Sequence, residues 1–325
     1  MSKLPISLII DDAGPVNTFH FHHAGGNHPM VVPPVFALQF GRLCQRFGVR
    51  GKFSVVPIPG GLGRLDCKDQ VAGVPAEYIE TFVNYARDYI CPNFSITSEI
   101  LTHHLAWDPK TSRCLHICED ELVSRASAEQ IADYVALSLE ILNNLGLDPA
   151  GVTSPWLTGI DNEENYARGI GMAFKKTLGK ELCFYFCHSR DELKHPVVMC
   201  DTPETGRVVS IPNNCHDPFW GTQQPVPFEQ ARKNAAEMID SLLSPDGKTG
   251  ELRALFEAGE PLIFITHWQS LFSDGRGIGI EGFEYLLERI GKVFGSQVEW
   301  LKFSELAARA QPPVPAVEEK IFEKK

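Results

Sequence analysis

The chain has 325 residues, of which 43% are hydrophobic and 22% charged, the composition of a folded globular protein rather than a disordered one. Its formal net charge of -11 argues against nucleic acid and anionic membrane surfaces as partners, because both require clustered Lys and Arg. The longest apolar runs, such as residues 261–266, are far shorter than the roughly 20 residues that span a bilayer. Nine cysteines without the spacing of a disulfide scaffold, and an N-terminus without a secretory signal, predict a cytoplasmic protein.

Predicted strands and helices alternate along the chain. Apolar runs predict strands at residues 4–10, 52–56, 94–101, 152, 182–187, 208–211, 261–266 and 298–303. Helical periodicity predicts helices at residues 35–47, 76–89, 127–145, 162–178, 228–243, 251–258 and 283–293. Ser127 and Gln130 form the pattern of a capping box at the start of the third of these helices, and Gly48 and Gly146 are typical helix ends.

This alternation predicts an α/β fold with a mainly parallel sheet, since parallel strands need crossover connections. We expect a distorted (β/α) barrel in a single domain over residues 1–310. Residues 311–325, which are rich in proline and charge, are expected to form a disordered tail.

Acidic and imidazole side chains follow the predicted strands at their carboxyl ends. Asp11 and Asp12 end the first strand, His103 and His104 follow the third, and His267 ends the strand at residues 261–266. In such folds functional residues gather at this edge of the sheet. Two adjacent carboxylates repel each other, so a cation or a shared proton is expected between them. One carboxylate with imidazoles and an open position would suit zinc or another borderline divalent ion.

Taken in order, these segments resemble the motifs of the polysaccharide deacetylases, also called the NodB-homology or carbohydrate esterase family 4 proteins. The segments that carry the resemblance are residues 9–15 (IIDDAGP), 48–56 (GVRGKFSVV), 99–103 (EILTH), 153–156 (TSPW) and 262–268 (LIFITHW). The resemblance implies a seven-stranded barrel and a metal-dependent hydrolase that removes an acetyl group from a carbohydrate or a related amide. The implied cofactor is a divalent ion, zinc or else Mn, Ni or Co.

The resemblance also implies roles for individual residues. Asp11 would be the general base, His267 the acid that protonates the leaving amine, and Asp12 and His103 metal ligands. The family's third motif begins with an arginine that pairs with the catalytic aspartate, and Thr153 stands in its place. The family's second metal-binding histidine falls on Trp107 when counted from His103.

Two further sets of candidates remain open at this stage. Counted from His104, the second ligand position falls on Asp108, so these two residues are also candidate metal ligands. Neighbouring side chains in an extended backbone point in opposite directions, so one of His103 and His104 is expected to ligate. The candidate substrate-binding residues are Pro155, Trp156, Asp217, Trp220 and Trp268.

Two other functions are compatible with the same residues. One is a glycoside hydrolase of the same barrel superfamily, with Asp11 and Asp217 as the carboxylate pair. The other is a carbohydrate-binding protein that has no catalytic activity but keeps a cleft lined by tryptophans. The tryptophans are Trp107, Trp156, Trp220 and Trp268. A carbohydrate or small acylated substrate is expected in every case, and the oligomeric state stays open. Four histidines follow the acidic pair closely and could supply a further metal ligand or bond only to solvent: His20, His22, His23 and His28.

Overall fold

The computed structural model describes residues 3–22, 28–189 and 193–311. Its strands are β1 Leu4–Ala13, β2 Gly51–Val55, β3 Phe94–Glu99, β4 Leu105–Asp108, β5 Arg113–Cys118, β6 Gly151–Thr153, β7 Leu182–Phe186, β8 Val197–Thr202, β9 Gly206–Ser210, β10 Leu262–His267 and β11 Val298–Trp300. Its α-helices are α1 Phe19–His22, α2 Val35–Phe47, α3 Ala76–Tyr85, α4 Glu119–Arg125, α5 Ala128–Asn144, α6 Glu163–Leu178, α7 Phe228–Leu242, α8 Glu251–Ala258, α9 Trp268–Phe272, α10 Ile278–Phe294 and α11 Phe303–Arg309.

The main sheet is mostly parallel, as the alternation of strands and helices predicts. Its strand order is β10-β1-β2-β3-β6-β7-β9-β8, and β11 pairs with the start of β1. All of these pairings are parallel except the one between β8 and β9. Within the described residues β8 and β10 do not pair, so the described strands form a sheet without a closing ladder.

The central strand β1 is buried on both faces, which explains its uninterrupted apolar run. Leu8 and Ile10 belong to the large core between the sheet and the surrounding helices. Ile9 points to the other face, into a smaller core shared with strands β7, β9 and β10 and closed by Phe303 and other residues of α11.

A glycine sets how closely β2 approaches β1. Gly51 pairs with Leu8, and a Cβ atom at position 51 would lie 1.9 Å from the Leu8 carbonyl oxygen. No other residue fits there without moving the strand. This register pairs the next residue, Lys52, with Ile9. Ile9 lies two residues before Asp11, the first acidic residue at the end of β1.

Several elements differ from the sequence predictions. The β4–β5 hairpin and β8 were not predicted, because each is short and pairs through irregular antiparallel registers. The last predicted strand ends at Trp300 rather than at residue 303. Helix α11 begins at residue 303 instead, and the Glu305 carboxylate in its first turn accepts a hydrogen bond of 2.8 Å from the backbone N–H of Lys302.

Within the described ranges, no helix combines the length and apolarity needed to cross a bilayer.

The expectation of a single domain over residues 1–310 stays a prediction. The expected disordered tail begins at residue 311, and residues 312–325 lie outside the described part of the chain.

Candidate active site

A pocket of about 290 Å³ opens at the carboxyl ends of the parallel strands. Its lining residues are Asp11, Asp12, Phe19, Glu99, His103, Ser154, Pro155, Trp156, Phe186, Trp220, Ile265 and His267. Of the sequence candidates, Asp11, Asp12, His103 and His267 therefore meet in one cavity. They meet because parallel strands end at the same edge: in the β1–β10 ladder, Asp11 is directly paired with His267.

Asp12, Glu99 and His103 form a compact buried cluster at one side of the pocket. Nε2 of His103 lies 2.9 Å from Oδ1 of Asp12 and 3.3 Å from Oε1 of Glu99. The second Glu99 oxygen accepts a hydrogen bond of 2.7 Å from the backbone N–H of Asp12. Sequence reasoning did not assign Glu99 to the site, although it ends β3 and lies four residues before His103.

The loop that carries His103 is organised by a second buried glutamate, Glu119. Its carboxylate accepts hydrogen bonds from the backbone N–H groups of Leu101, Thr102 and His103, at 3.1, 3.0 and 2.9 Å. The Tyr134 hydroxyl donates a further bond of 2.8 Å to it. The loop can therefore hold His103 in a left-handed backbone conformation, with φ of 55°. Sequence analysis missed Glu119, because nothing local distinguishes it from its acidic neighbours.

The charges of the cluster depend on one another. Burial opposes an imidazolium at His103, but the Asp12 carboxylate outweighs burial and raises the pKa of His103 to about 10. Burial likewise opposes ionisation of Asp12, yet His103 holds the pKa of that carboxyl well below its usual range. Burial and the nearby Asp12 charge both raise the pKa of Glu99 well above its ordinary value. The protein alone thus has an ionised Asp12, a protonated His103 and a Glu99 that resists ionisation at neutral pH.

The same three side chains fit a divalent cation. One ligand atom from each lies within 4.8 Å of the other two. Two carboxylates and an imidazole are a donor set that borderline and hard divalent ions accept. A cation would take the place of the His103 proton and would let both carboxylates ionise together.

Asp11 pairs with Lys52, a residue that sequence analysis did not identify. The Lys52 side chain is fully buried, and its ammonium is paired with Asp11. It also donates a hydrogen bond of 2.6 Å to the Thr153 hydroxyl and lies 4.8 Å from the centroid of the Phe186 ring. Thr153 occupies the position where the resemblance implied an arginine. Lys52, from the neighbouring strand β2, supplies the positive charge instead.

His267 faces the pocket from β10 and is oriented by Asp217. Its Nδ1 lies 2.8 Å from Oδ2 of Asp217, and its ring packs edge-on against Trp220, with centroids 4.6 Å apart. Burial opposes its protonation, but the bond to Asp217 and the charge of Asp12 raise the pKa of His267 to about 9. The imidazole is therefore protonated at neutral pH and can donate a proton into the pocket. Asp217 itself is absent from the pocket lining and orients His267 through that contact.

Of the expected substrate-binding residues, Pro155, Trp156 and Trp220 line the pocket, whereas Trp268 does not reach it. Trp156 and Trp220 are 47% and 41% exposed and line the cavity with Pro155. Trp268 is fully buried. Its indole N–H donates to the Gly14 carbonyl oxygen at 3.1 Å, and its ring contacts core phenylalanines such as Phe36, 4.6 Å between centroids. Trp268 therefore stabilises the core and cannot stack on a sugar.

The second pair of proposed metal ligands lies outside the pocket lining. Asp108 is in the β4–β5 hairpin, where its oxygens accept bonds from the Lys110 backbone N–H at 2.9 Å and the Thr111 hydroxyl at 2.8 Å. The segment is a strand and not a helix, so the geometry that would place Asp108 beside His104 does not occur. Burial, followed by the charge of His103, lowers the pKa of His104.

His20 and His28 have partners other than the three-residue cluster. His20 Nδ1 lies 2.9 Å from the His28 carbonyl oxygen, and His28 Nδ1 lies 2.8 Å from Asp274. His23 lies outside the described residues.

No family model matches the sequence, and no curated protein is detectably similar to it. Solved structures similar to this chain include three enzymes of 12–14% identity. A GH57-type branching enzyme from Pyrococcus horikoshii is 12% identical, with a TM-score of 0.50 over 95% of this chain and 70% of its own. A GH57 branching enzyme from Thermococcus kodakaraensis is 13% identical, with a TM-score of 0.49 over 96% of this chain and 72% of its own. The 4-alpha-glucanotransferase from Thermococcus litoralis is 14% identical, with a TM-score of 0.47 over 96% of this chain and 41% of its own.

These likenesses correct the family suggested by the sequence motifs. The similar structure with a TM-score of 0.50 is a GH57-type branching enzyme and not a NodB-type deacetylase, so the recognition as a polysaccharide deacetylase and the activity on an amide bond are both wrong. The motifs misled because each consists of a few polar residues at a strand end, an arrangement that the fold itself favours. At 12% identity the likeness concerns the fold alone.

Proposed function

We propose that this protein is a carbohydrate-active enzyme that cleaves or transfers a glycosidic bond. The observation that carries the proposal is that the carboxylate of Asp11, the protonated imidazole of His267 and the exposed rings of Trp156 and Trp220 line one pocket. The fold shared with a GH57-type branching enzyme supports it. This activity corresponds to the glycoside hydrolase alternative raised by the sequence, with one change in the residues.

The change concerns the carboxylate pair. The sequence alternative joined Asp11 to Asp217, but Asp217 is bonded to His267 and does not line the pocket. We assign proton donation to His267, whose protonated state at neutral pH is maintained by Asp217. The carbon–oxygen bond to the leaving group breaks as His267 delivers its proton to the leaving oxygen. Asp11 faces the positive charge that develops at the anomeric carbon, either as nucleophile or as counter-ion, and the oxygen of water or of an acceptor sugar hydroxyl then bonds to that carbon and loses its proton to His267.

The size of the pocket favours recognition of one sugar ring at the reacting centre. Its volume of about 290 Å³ lies just below the range of roughly 300–1,000 Å³ that is typical of small-molecule sites. The half-exposed rings of Trp156 and Trp220 offer apolar faces to the C–H surface of a sugar. Fully buried Lys52 is paired with Asp11 and is absent from the pocket lining, so it orients Asp11 from behind the pocket wall.

We also propose that Asp12, Glu99 and His103 bind a divalent cation, with Mn, Co, Ni and zinc as the ions to test. When bound, such an ion would supply a Lewis-acidic anchor for sugar hydroxyl groups. Asp12 and Glu99 would contribute carboxylate oxygens and His103 its Nε2. The loop bonded to Glu119 would hold the imidazole in position.

The barrel form of the fold belongs to the proposal as well. We infer that the segment after β9 completes a distorted (β/α) barrel. It lies against β10, because the Asn214 backbone N–H donates to the Ile263 carbonyl oxygen at 2.8 Å and its side-chain amide donates to the Pro261 carbonyl oxygen at 2.8 Å. The small core around Ile9, closed by α11, would then be the interior of that barrel.

A panel of 4-nitrophenyl glycosides and short α-glucans tests the proposal, with and without each of the four divalent ions. Wild-type protein should release or transfer sugar from at least one member, and Asp11→Asn should lower kcat by at least about a hundredfold. Asp108→Asn, in the hairpin outside the pocket, is the matched control and should retain full activity. Absence of turnover across the panel, together with measurable oligosaccharide binding by calorimetry, would instead support the non-catalytic binding protein.

A further inference from the structure

A second cluster of metal-binding side chains lies at the carboxyl end of β7, where that strand meets the first turn of α6. It consists of Glu163, Cys187 and His188, and one ligand atom from each lies within 4.8 Å of the other two. Nε2 of His188 lies 2.6 Å from Oε1 of Glu163, and the Cys187 sulfur lies 3.9 Å from the same oxygen. None of the three lines the pocket described above.

The register of β7 brings these groups together. Alternation along the strand sends Cys183, Tyr185 and Cys187 into the large core, while Phe184 and Phe186 face the small one. Cys187 is thus buried beneath α6, beside the helix-start residue Glu163. The next residue, His188, reaches back to the Glu163 carboxylate, and the Tyr185 hydroxyl donates to that carboxylate at 2.5 Å.

The donor set has a specific chemical preference. A thiolate and an imidazole select borderline transition-metal ions over magnesium or calcium. With the carboxylate as the third ligand, the cluster supplies three of the four ligands of a tetrahedral site. Metal–sulfur bonds of about 2.3 Å and metal–nitrogen or metal–oxygen bonds of about 2.0–2.2 Å separate such ligands by roughly 3.3–3.7 Å. The observed sulfur–oxygen distance of 3.9 Å is close to this range. The nitrogen–oxygen distance needs to open by less than an ångström.

The cluster is reachable as well as compact. Glu163 and His188 are partly exposed, at 20% and 16% of their side-chain surface, whereas Cys187 is buried. An ion can therefore approach past the carboxylate and the imidazole and meet the thiol beneath them. In the protein alone, His188 lowers the pKa of Glu163 against the opposing effect of burial.

We propose that Glu163, Cys187 and His188 form a binding site for a borderline divalent metal ion, separate from the proposed active site. Binding replaces the proton on the Cys187 thiol and the one shared between His188 and Glu163, so it releases protons to solvent. The ion ties the end of β7 to the start of α6. The proposal does not depend on the proposed glycosidic activity, because no residue is shared between the two sites.

Titration of the full chain with Co²⁺ under a non-thiol reductant tests this site, because only a cysteine-containing site gives sulfur-to-cobalt charge-transfer absorption. Wild-type protein should show that absorption with one equivalent bound through sulfur, and added Zn²⁺ should abolish it. Cys187→Ser should lack it. Cys183→Ser, which removes a buried thiol from the same face of the same strand, should keep it. Asp12→Asn, which alters only the other cluster, should keep it too.

A second variant covers the case in which Cys187→Ser does not fold, as judged by circular dichroism. His188→Gln keeps the thiol, and it should weaken Co²⁺ binding by at least about tenfold, since even residues behind a metal ligand contribute that much. The proposal is overturned if wild-type protein shows no charge-transfer absorption, if the absorption survives in Cys187→Ser, or if His188→Gln binds Co²⁺ as tightly as wild type.

Discussion

The buried ion pair between Lys52 and Asp11 allows a quantitative test of how the pocket is held together. Lys52→Met keeps most of the side-chain volume and removes the ammonium. Asp11 is then left buried and charged without its cation, and the Thr153 hydroxyl loses a charged partner, although it keeps a bond of 2.9 Å with Thr97. Removing one partner of a buried pair typically costs about 3–5 kcal/mol. We expect that loss in the free energy of unfolding, which is about 5–15 kcal/mol for a typical domain.

The assay is equilibrium unfolding in urea at neutral pH, with the midpoint and slope fitted for each variant. Lys180→Met is the matched control, because Lys180 pairs at 2.6 Å with Asp148, whose side chain is 83% exposed. Exposed pairs of this kind contribute about 0–1 kcal/mol. The control should therefore be several-fold less destabilised than Lys52→Met.

A double variant separates the loss of the pair from the loss of packing. In Lys52→Met with Asp11→Asn the unpaired charge is gone, so the double variant should be more stable than the sum of the single effects predicts, by about 1–3 kcal/mol. The reasoning is refuted if Lys52→Met costs no more than Lys180→Met. Strict additivity of the two substitutions would refute it equally.

Four further outcomes are expected. Asp12→Asn and Glu99→Gln should each lower by one the number of Mn²⁺ or Co²⁺ ions bound per chain, measured by elemental analysis after dialysis, whereas Asp108→Asn should bind as wild type does. The bond to Asp217 helps to raise the pKa of His267 to about 9, so the protonated donor is present at neutral pH and is lost as pH rises through about 9. The alkaline limb of the kcat/KM profile should therefore move to lower pH in Asp217→Asn, and an unmoved limb would exclude His267 as the donor. Trp156→Ala and Trp220→Ala should each raise KM roughly two- to tenfold by removing ring contacts worth about 0.5–1.5 kcal/mol, with a smaller change in kcat. A pure kcat effect would contradict sugar stacking. Truncation after residue 311 should leave the melting temperature nearly unchanged, because the tail offers few apolar residues to bury, and a large drop would show that it packs on the domain.

Local patterns in the sequence predicted most of the regular elements. The helix at Val35–Phe47 has the predicted bounds and ends at Gly48, whose φ of 66° a glycine readily adopts. Ser127 and Gln130 form the predicted capping box at the start of α5. These features depend on residues within one or two turns of each other, so a single sequence contains the information needed to find them.

The sequence also determined which edge of the sheet carries the site, and tertiary structure decided what the site contains. Because parallel strands end together, the sequence alone predicts that Asp11, Asp12, His103 and His267 lie in one pocket. The buried cation Lys52, and Glu119 that holds the His103 loop, lie on other elements, and no local pattern marks them. Trp268 follows His267 directly, yet it faces the core rather than the pocket. Charge pairing and side-chain direction here depend on contacts between residues far apart in the chain, which only the packing of strands and helices against one another specifies.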